Sequence, residues 1–564
     1  MSFRRMAASS RRYRHFSRYR RILSVMVKYG FGEALYRLNL LRFLGLVRSF
    51  VARRRVEGLE TMTRAERVRM ALEELGPTFV KMGQILSLRP DLIPLEFIGE
   101  LSKLQDSVTP FPFEEAKKIV ESELKNPLSD VFASFAESPL AAASIGQVHR
   151  ARLRSGEEVV VKVQRPGIRR TVETDIEILQ YFARLAERYI EEMRDFRPGA
   201  IVEEFARTIR KEMDYTVEAS HLERFARQFR GNDALFVPAV FREFSTGKVL
   251  TMEYVEGIGI SEVARLEEAG FDRKLLAARG VDLMLEQVFK HGFFHADPHP
   301  GNILVLPGNV ISYLDFGMMG SVDRKMRGYF VEVIEGFADR DASKMADSLL
   351  KIVEWDEEPD RRRLERDIGE YADLYLYRPI KEWWIKNLVE GMLALLSRHR
   401  LRIPPDIFLM LKAIAEVEGL GRLLDPDFEL LERAKPFVRR MHLERMNPKR
   451  LFEGLSESGG EMADFLKETP GDLRDILKQW KQGRTRIGFE HRGLERFIFE
   501  MDRSSNRIAF SLIVSSLIVG SSLIVTADVG PHLYGFPVLG VAGFSVAGIF
   551  GMWLVISIFR SGRL

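Results

Sequence analysis

Ile508 to Ala527 is a run of twenty positions without a charge. As a helix rising about 1.5 Å per residue it spans roughly 30 Å, one hydrocarbon thickness, so water is the wrong solvent for it. A second uncharged run, Phe536 to Phe559, follows the turn-forming linker Asp528-Val529-Gly530-Pro531-His532-Leu533-Tyr534-Gly535, which has no Lys or Arg. Arg503 and Arg507 precede the first run, and Arg560 and Arg563 follow the second. Basic residues favour the cytoplasmic side, so residues 508–559 read as a transmembrane helical hairpin with both ends inside and the linker outside. Gly543, Ala547 and Gly551 recur every four residues, a stripe along which helices approach closely.

The remainder reads as globular. Of 564 residues 46% are apolar and 29% charged, too long a chain for one core, so several units are expected ahead of the hairpin. The absence of cysteine excludes disulfides, thiolate metal sites and a cysteine nucleophile, and fits a reducing compartment. Net charge is +5, but the first 32 residues carry eight arginines and one lysine ahead of Glu33. That arm has the look of a transit peptide or of a tail on anionic membrane lipids, with a solvated tail as the plain alternative. Residues 21–60 mix Leu, Phe and Arg at helical spacing, as an amphipathic helix lying on a surface would. Beyond the basic arm nothing points to nucleic acid.

The chemistry gathers in Phe294-His295-Ala296-Asp297-Pro298-His299-Pro300-Gly301-Asn302 and in Asp315-Phe316-Gly317, joined by the strand-like Val310-Ile311-Ser312-Tyr313-Leu314. Asp297 and Asn302 are five apart, and Asp315 lies thirteen further on. This is the polar skeleton of a kinase catalytic loop and metal loop, in which one Asp faces the acceptor while an Asn and a second Asp hold Mg²⁺ against phosphates. The residue types follow from the ion, because hard Mg²⁺ takes oxygen ligands shared between carboxylates and phosphate. His291, His295 and His299 recur every four residues and would share a helix face as metal ligands, but Pro298 and Pro300 break any such helix.

Upstream, Gly76 to Pro90 reads as a helix from which Lys81 and Gln84, three apart, point together, with Gly83 allowing close approach of another backbone. Ala141, Ala142, Ala143, Ser144, Ile145, Gly146 and Val148 stand where a phosphate loop would be, followed by a turn and the strand Val159 to Val163 bearing Lys162. Kinases put there the lysine that pairs nucleotide phosphates with a helix Glu. Residues 201 to 229 read as one helix on which Asp214 and Glu218 share a face while Glu212 points about 120° away, two acidic directions for two lysines. Val249 to Gly257, with Glu253 and Val255, runs from strand into turn where a hinge would meet adenine.

With Lys81-Met82-Gly83-Gln84, the Ala-rich loop, Glu212-Met213-Asp214 and His295 to Asn302 in this order, the chain resembles the UbiB family of atypical protein-kinase-like proteins, bacterial members of which have two C-terminal transmembrane helices. The resemblance implies an α+β, protein-kinase-like two-lobed fold with an N-terminal helical extension. It also implies ATP and Mg²⁺ as cofactors, ATPase activity and support of ubiquinone biosynthesis. By position, Lys81 and Gln84 would lie across the mouth of the site, Glu212 and Asp214 would hold that extension, and Lys162 with Glu218 would fix the nucleotide. Asp297 would be the catalytic-loop Asp, Asn302 and Asp315 the metal ligands, and alanine is accepted at Gly146. The expected boundaries are 1–60 for the basic segment, 61–135 for the extension, 136–257 and 258–446 for the lobes, 447–507 for an amphipathic linker and 508–559 for the hairpin.

After Gly317 no Ala-Pro-Glu follows, and a helix-like stretch starts at Asp323, which leaves no platform for a peptide substrate. The expectation is therefore a bacterial inner-membrane ATPase or small-molecule kinase with its catalytic domain in the cytoplasm. Its partners would be quinone or isoprenoid lipid precursors and quinone-biosynthesis enzymes. The alternatives are a membrane protein kinase and a non-catalytic nucleotide-sensing scaffold.

Overall fold

The computed structural model describes residues 16–37, 59, 61–90, 92–104, 108–190, 197–355, 357–376, 384–445, 494–528, 530–533 and 536–560. They divide between two units, Met1–Leu451 and Phe452–Leu564.

Within the basic segment residues 16–28 form helix α1, and its apolar face is covered by protein, contrary to the surface-lying helix expected from the pattern. Ile22 and Val25 pack with Leu72, Leu75, Phe79 and Leu101 of the extension. Arg18 makes a two-pronged pair with the fully buried Asp175, 2.7 and 2.8 Å, and donates to the Leu75 carbonyl. The basic charge here thus has a fixed internal partner, a geometry that suits the planar guanidinium. Most of the remaining segment, 38–58, lies outside the described residues.

Helix α2 (Arg64–Leu75) starts with Thr63 and Glu66 in a reciprocal capping box. Gly76, at φ 97°, ends it and leads directly into α3 (Pro77–Leu86), whose proline occupies the first turn. Helix α4 (Leu95–Leu101) closes this small core, which is separate from the cores of the lobes.

The first lobe follows α5 (Phe113–Leu124) with β1 (Phe132–Phe135), β2 (Ala141–Ala142), β3 (Gly146–Leu153) and β4 (Glu158–Gln164). Two helices, α6 (Ile168–Tyr189) and α7 (Pro198–Glu212), intervene before α8 (Tyr215–Gln228), which sequence reading did not separate from α7. After β5 (Leu235–Phe236) comes β6 (Val249–Glu253), and the antiparallel sheet runs β1-β3-β4-β6 with β2 on β3. Along β4 the side chains alternate. Val159, Val161 and Val163 enter the core under α5, while Val160 faces the second lobe's core; by the period-2 rule Lys162 shares the Val160 face.

The second lobe contains β7 (Ile258–Gly259), α9 (Arg273–Leu285), a π-helical turn Glu286–His291, β8 (Phe293–His295), β9 (Ile303–Leu306), β10 (Val310–Tyr313) and β11 (Met319–Ser321). It continues with α10 (Arg324–Asp339), α11 (Ala342–Ile352), α12 (Arg361–Leu376), α13 (Ile385–Arg398), α14 (Pro405–Leu424) and α15 (Leu430–Arg445). Its sheet is ordered β5-β10-β9-β7, and β11 pairs with β8. Asp323 caps α10, so the chain after Gly317 is a short strand and then helix, with no extended platform.

The second unit has α16 (Leu494–Ala527), a small β12–β13 hairpin (His532–Leu533, Phe536–Pro537) and α17 (Val538–Arg560). Both helices are long and apolar enough to cross a membrane, and Ile508, Leu512, Ile549 and Trp553 expose their side chains. A Cβ on Gly543 would come 2.1 Å from Ser521 Oγ, so the small-residue stripe does mark the close approach. Residues 494–507, expected as linker, continue without a break into the apolar helix; 446–493 lie outside the described residues.

Candidate nucleotide and phosphoryl-transfer site

Strand register assembles the centre. Ile303 pairs with Tyr313 at the open end of the β9–β10 hairpin, so Asn302 and Asp315 flank that end, and the Leu314 N–H donates to the Asn302 carbonyl at 2.9 Å. β8 pairs with β11 in the register His295 to Met319, which brings the two ends of the motif-bearing segment together.

His295 organises the loop from beneath. It is 1% exposed; its Nε2–H donates to the Asp315 carbonyl, and its Nδ1 accepts the Asp297 N–H at 3.2 Å. Those two bonds demand the neutral tautomer, and burial lowers the imidazole's proton affinity in the same direction. The π-turn supplies Gln287, whose Oε1 accepts the His295 N–H at 2.8 Å and whose amide reaches Tyr313 Oη. The three histidines share no metal site: His291 packs on Phe229, and His299 Nδ1 accepts the Gly301 N–H.

Lys162 Nζ lies 2.9 Å from both oxygens of Glu218 and 3.7 Å from Asp315 Oδ2. Burial opposes the lysine's charge, but Asp315 and Glu218 outweigh it and raise the ammonium above its usual range. For Asp315, burial would raise the carboxyl, yet Lys162 and the Gly317 N–H, at 2.8 Å, hold it down to about 2. The Lys162 ammonium also sits 5.4 Å from the centroid of the Tyr215 ring.

The single helix read across 201–229 is in fact two. α7 ends at Glu212, and Asp214 caps α8 by accepting the Thr216 N–H at 3.1 Å. The break turns Glu212 toward Lys81, with which it pairs, and leaves Glu218 to Lys162. Asp214 is engaged as a cap with Thr216, a local role distinct from the extension clamp expected of it. Gln84 turns from Lys81's partner and donates to the Leu104 carbonyl at 3.2 Å, inside the extension. Gly83 admits side chains rather than another backbone, since a Cβ there would meet Leu104 Cδ1 at 2.2 Å.

The Ala-rich stretch is a hairpin. Ala141 pairs with Val148, Ala142 with Gln147, and the Ala143 N–H donates to the Gly146 carbonyl. Ser144 and Ile145 are buried, and the Ile145 side chain packs among Ile168, Ile176 and Phe205, away from the cleft expected for it. Gly146 is constrained, because a Cβ would come 2.6 Å from the Val163 carbonyl and 2.3 Å from Tyr215 Oη. Tolerance of alanine there, implied by the resemblance, does not hold for this packing. Val148 is directly across from Lys162 and half-buried. In the hinge segment Val255 is buried, and the Glu253 N–H is engaged by the Ala239 carbonyl.

Asp297 has a neighbour that sequence reading missed. Lys412, on α14, places Nζ 3.1 Å from Asp297 Oδ1 and 3.1 Å from Glu416 Oε1. The available signal was weak, a Lys and a Glu four apart on a helix that carries a second such pair in Glu418 and Arg422.

The comparisons agree with this architecture. Residues 103–349 match the ABC1 atypical kinase-like domain, 368–429 the UbiB helical domain and 492–560 the ABC1/UbiB kinase-like C-terminal domain. A "Probable protein kinase UbiB" of Pseudomonas paraeruginosa is 37% identical over 82% of this chain and 88% of its own length. The chain belongs to the UbiB family of atypical kinase-like proteins. An "Uncharacterized protein in hydrogenase 1 5'region" of Clostridium pasteurianum is 32% identical over 88% of this UbiB-family chain and 94% of its own. A solved Rv3197–erythromycin complex from Mycobacterium tuberculosis aligns with 63% of this chain and 90% of its own, at 24% identity and a TM-score of 0.45.

Proposed function

We propose that this UbiB-family protein binds ATP with Mg²⁺ and hydrolyses it, or transfers its γ-phosphoryl group to a small lipid-borne acceptor, in support of ubiquinone or related isoprenoid-quinone biosynthesis. The observation that carries the reading is the convergence of Lys162, Glu218, Asn302 and Asp315 beside Asp297 at the open end of one hairpin. The donor set fits Mg²⁺: Asn302 and Asp315 flank the open end of the hairpin with an amide and a carboxylate oxygen, and Mg²⁺ needs only one or two protein oxygens when phosphates complete its shell. When bound, the ion would neutralise phosphate charge, with Asn302 and Asp315 holding it. Lys162, kept charged by its two carboxylates, would fix the α- and β-phosphates. Asp297 would orient the attacking oxygen and receive its proton.

The names of the curated relatives favour a kinase, and the short connection from Gly317 to Asp323 favours an acceptor other than a peptide. Two apolar helices support anchoring in a bacterial inner membrane, with the catalytic unit on the cytoplasmic side. The test supplies γ-labelled ATP to full-length protein in liposomes containing polyprenylated phenols. Label recovered in inorganic phosphate or in the lipid fraction is the expected result. Label entering added proteins at a rate matching ATP consumption would establish the protein-kinase alternative instead.

A further inference from the structure

Phosphoryl transfer spreads negative charge over the oxygens of the moving group, and enzymes place a cation beside the acceptor to meet it; some supply it from a separate element, as an arginine finger. The loop from Asp297 to Asn302 contributes no Lys or Arg, only two prolines, a histidine that caps Gly301, and a glycine. Two lysines around the site are engaged away from Asp297: Lys81 pairs with Glu212, and Lys162 with Glu218 and Asp315. Lys412 is the one that touches Asp297, and it comes from α14, which packs against α9 and against β11, the strand just beyond Gly317.

Its setting is that of a held but reachable charge. The ammonium has three N–H donors, and the two described contacts, to Asp297 and Glu416, use two of them. The Lys412 side chain remains 28% exposed, and the ammonium keeps one N–H that neither of these contacts uses. Glu416 is partly buried and its Oε2 has no hydrogen-bond partner, so among the described residues Lys412 is the contact that orients this carboxylate. Burial works against the lysine's charge, but Glu416 and Asp297 together outweigh it and keep the ammonium protonated.

We propose that Lys412 is a further catalytic residue of this site, contacting the γ-phosphoryl oxygens of bound nucleotide, with Glu416 as the positioning residue that holds it beside Asp297. The inference rests on the nucleotide reading above. In hydrolysis the water oxygen bonds to the γ-phosphorus while the bond from phosphorus to the β–γ bridging oxygen breaks. ADP leaves with that oxygen, and the water proton passes to Asp297 and on to solvent. Lys412 stays bound to the equatorial oxygens throughout and releases Asp297 Oδ1 to accept the proton.

A cation on the γ-phosphoryl group separates ATP from ADP even without turnover. The test therefore measures affinities of the full-length protein for Mg-ADP and for a non-hydrolysable Mg-ATP analogue, alongside ATP hydrolysis, in wild type and in Lys412→Ala, Lys412→Arg and Glu416→Gln. Thermal melts confirm that each variant is folded. Lys412→Ala should reduce the preference for the triphosphate by about tenfold, the value of one charge-assisted hydrogen bond. It should leave ADP affinity within about threefold and cut turnover by about 100-fold, as loss of one transition-state donor does. Lys412→Arg should keep the preference, and Glu416→Gln should fall between. An unchanged preference in Lys412→Ala, or equal loss of both nucleotides, overturns the proposal. Failure of the wild type to bind either nucleotide overturns instead the reading on which it rests.

Discussion

Two lysine–glutamate pairs meet the chain at positions six residues apart, and they do different work. Lys162 and Glu218 join a strand to the helix behind it, with the glutamate side chain 6% exposed. Lys81 and Glu212 join the helical extension to the end of α7, with side chains 11% and 18% exposed. The first pair lies within the lobe and shares its lysine with Asp315; the second crosses between α3 and α7, which also meet in apolar packing of Ile85 with Phe205 and Ile209. Glu212 ends one helix and Glu218 lies in the next, the break at Met213 and the Asp214 cap setting their separate directions. One pair is thus part of the phosphate machinery, and the other is a clasp that holds the extension against it.

The sharpest way to break this comparison is Glu218→Ala. Removing one partner of a buried ion pair strands the other charge, at about 3–5 kcal/mol. Lys162 would then collapse onto Asp315, and Mg-nucleotide affinity should fall about 100-fold by calorimetric titration. Lys81→Ala should cost less, because apolar packing still seats the extension. Hydrogen exchange in residues 77–90 should rise, while nucleotide affinity stays within about tenfold. Equal losses of nucleotide in the two variants would erase the distinction.

Gly146→Ala comes next. Its Cβ would press on the Val163 carbonyl and Tyr215 Oη beneath Lys162, and the expected cost of about 1–3 kcal/mol should appear as a lower melting temperature. Asp214→Ala removes the α8 cap at about 1 kcal/mol and should weaken both pairs slightly rather than one strongly. The smallest effect concerns pH. His295 is buried neutral, its folded pKa below the unfolded value near 6.5. Its contribution to stability is therefore present above about pH 6.5 and is lost as pH falls. Asp315, ionised down to about 2, contributes no such loss between pH 7 and 5. A melting series over that range should show a shallower decline for His295→Gln than for the wild type.

What could be read from the sequence was whatever local spacing encodes. The Asp297, Asn302 and Asp315 framework, the strand lysine and the two apolar helices follow from residue type and period, whereas Glu218 as the lysine's partner comes with the family resemblance. What was hidden depended on distant contacts or on backbone breaks. Lys412 meets Asp297 across 115 positions of chain. The α7–α8 break requires knowing that Asp214 bonds Thr216 rather than continuing a helix. Ile145 sits in a loop-like sequence yet turns its side chain into the core, which no pattern of one strand reveals. Arg18 reads as one more charge in a basic tail until Asp175 is found beneath it.

The account stands most directly on Asp297. Steady-state ATP hydrolysis by the full-length protein in liposomes, wild type against Asp297→Asn, with nucleotide affinity measured on the same preparations, tests it in one experiment. A loss of at least about 100-fold in turnover with affinity retained is the predicted result. Turnover that is the same in both proteins would contradict it, as would a wild type that binds Mg-ATP and never hydrolyses or transfers it.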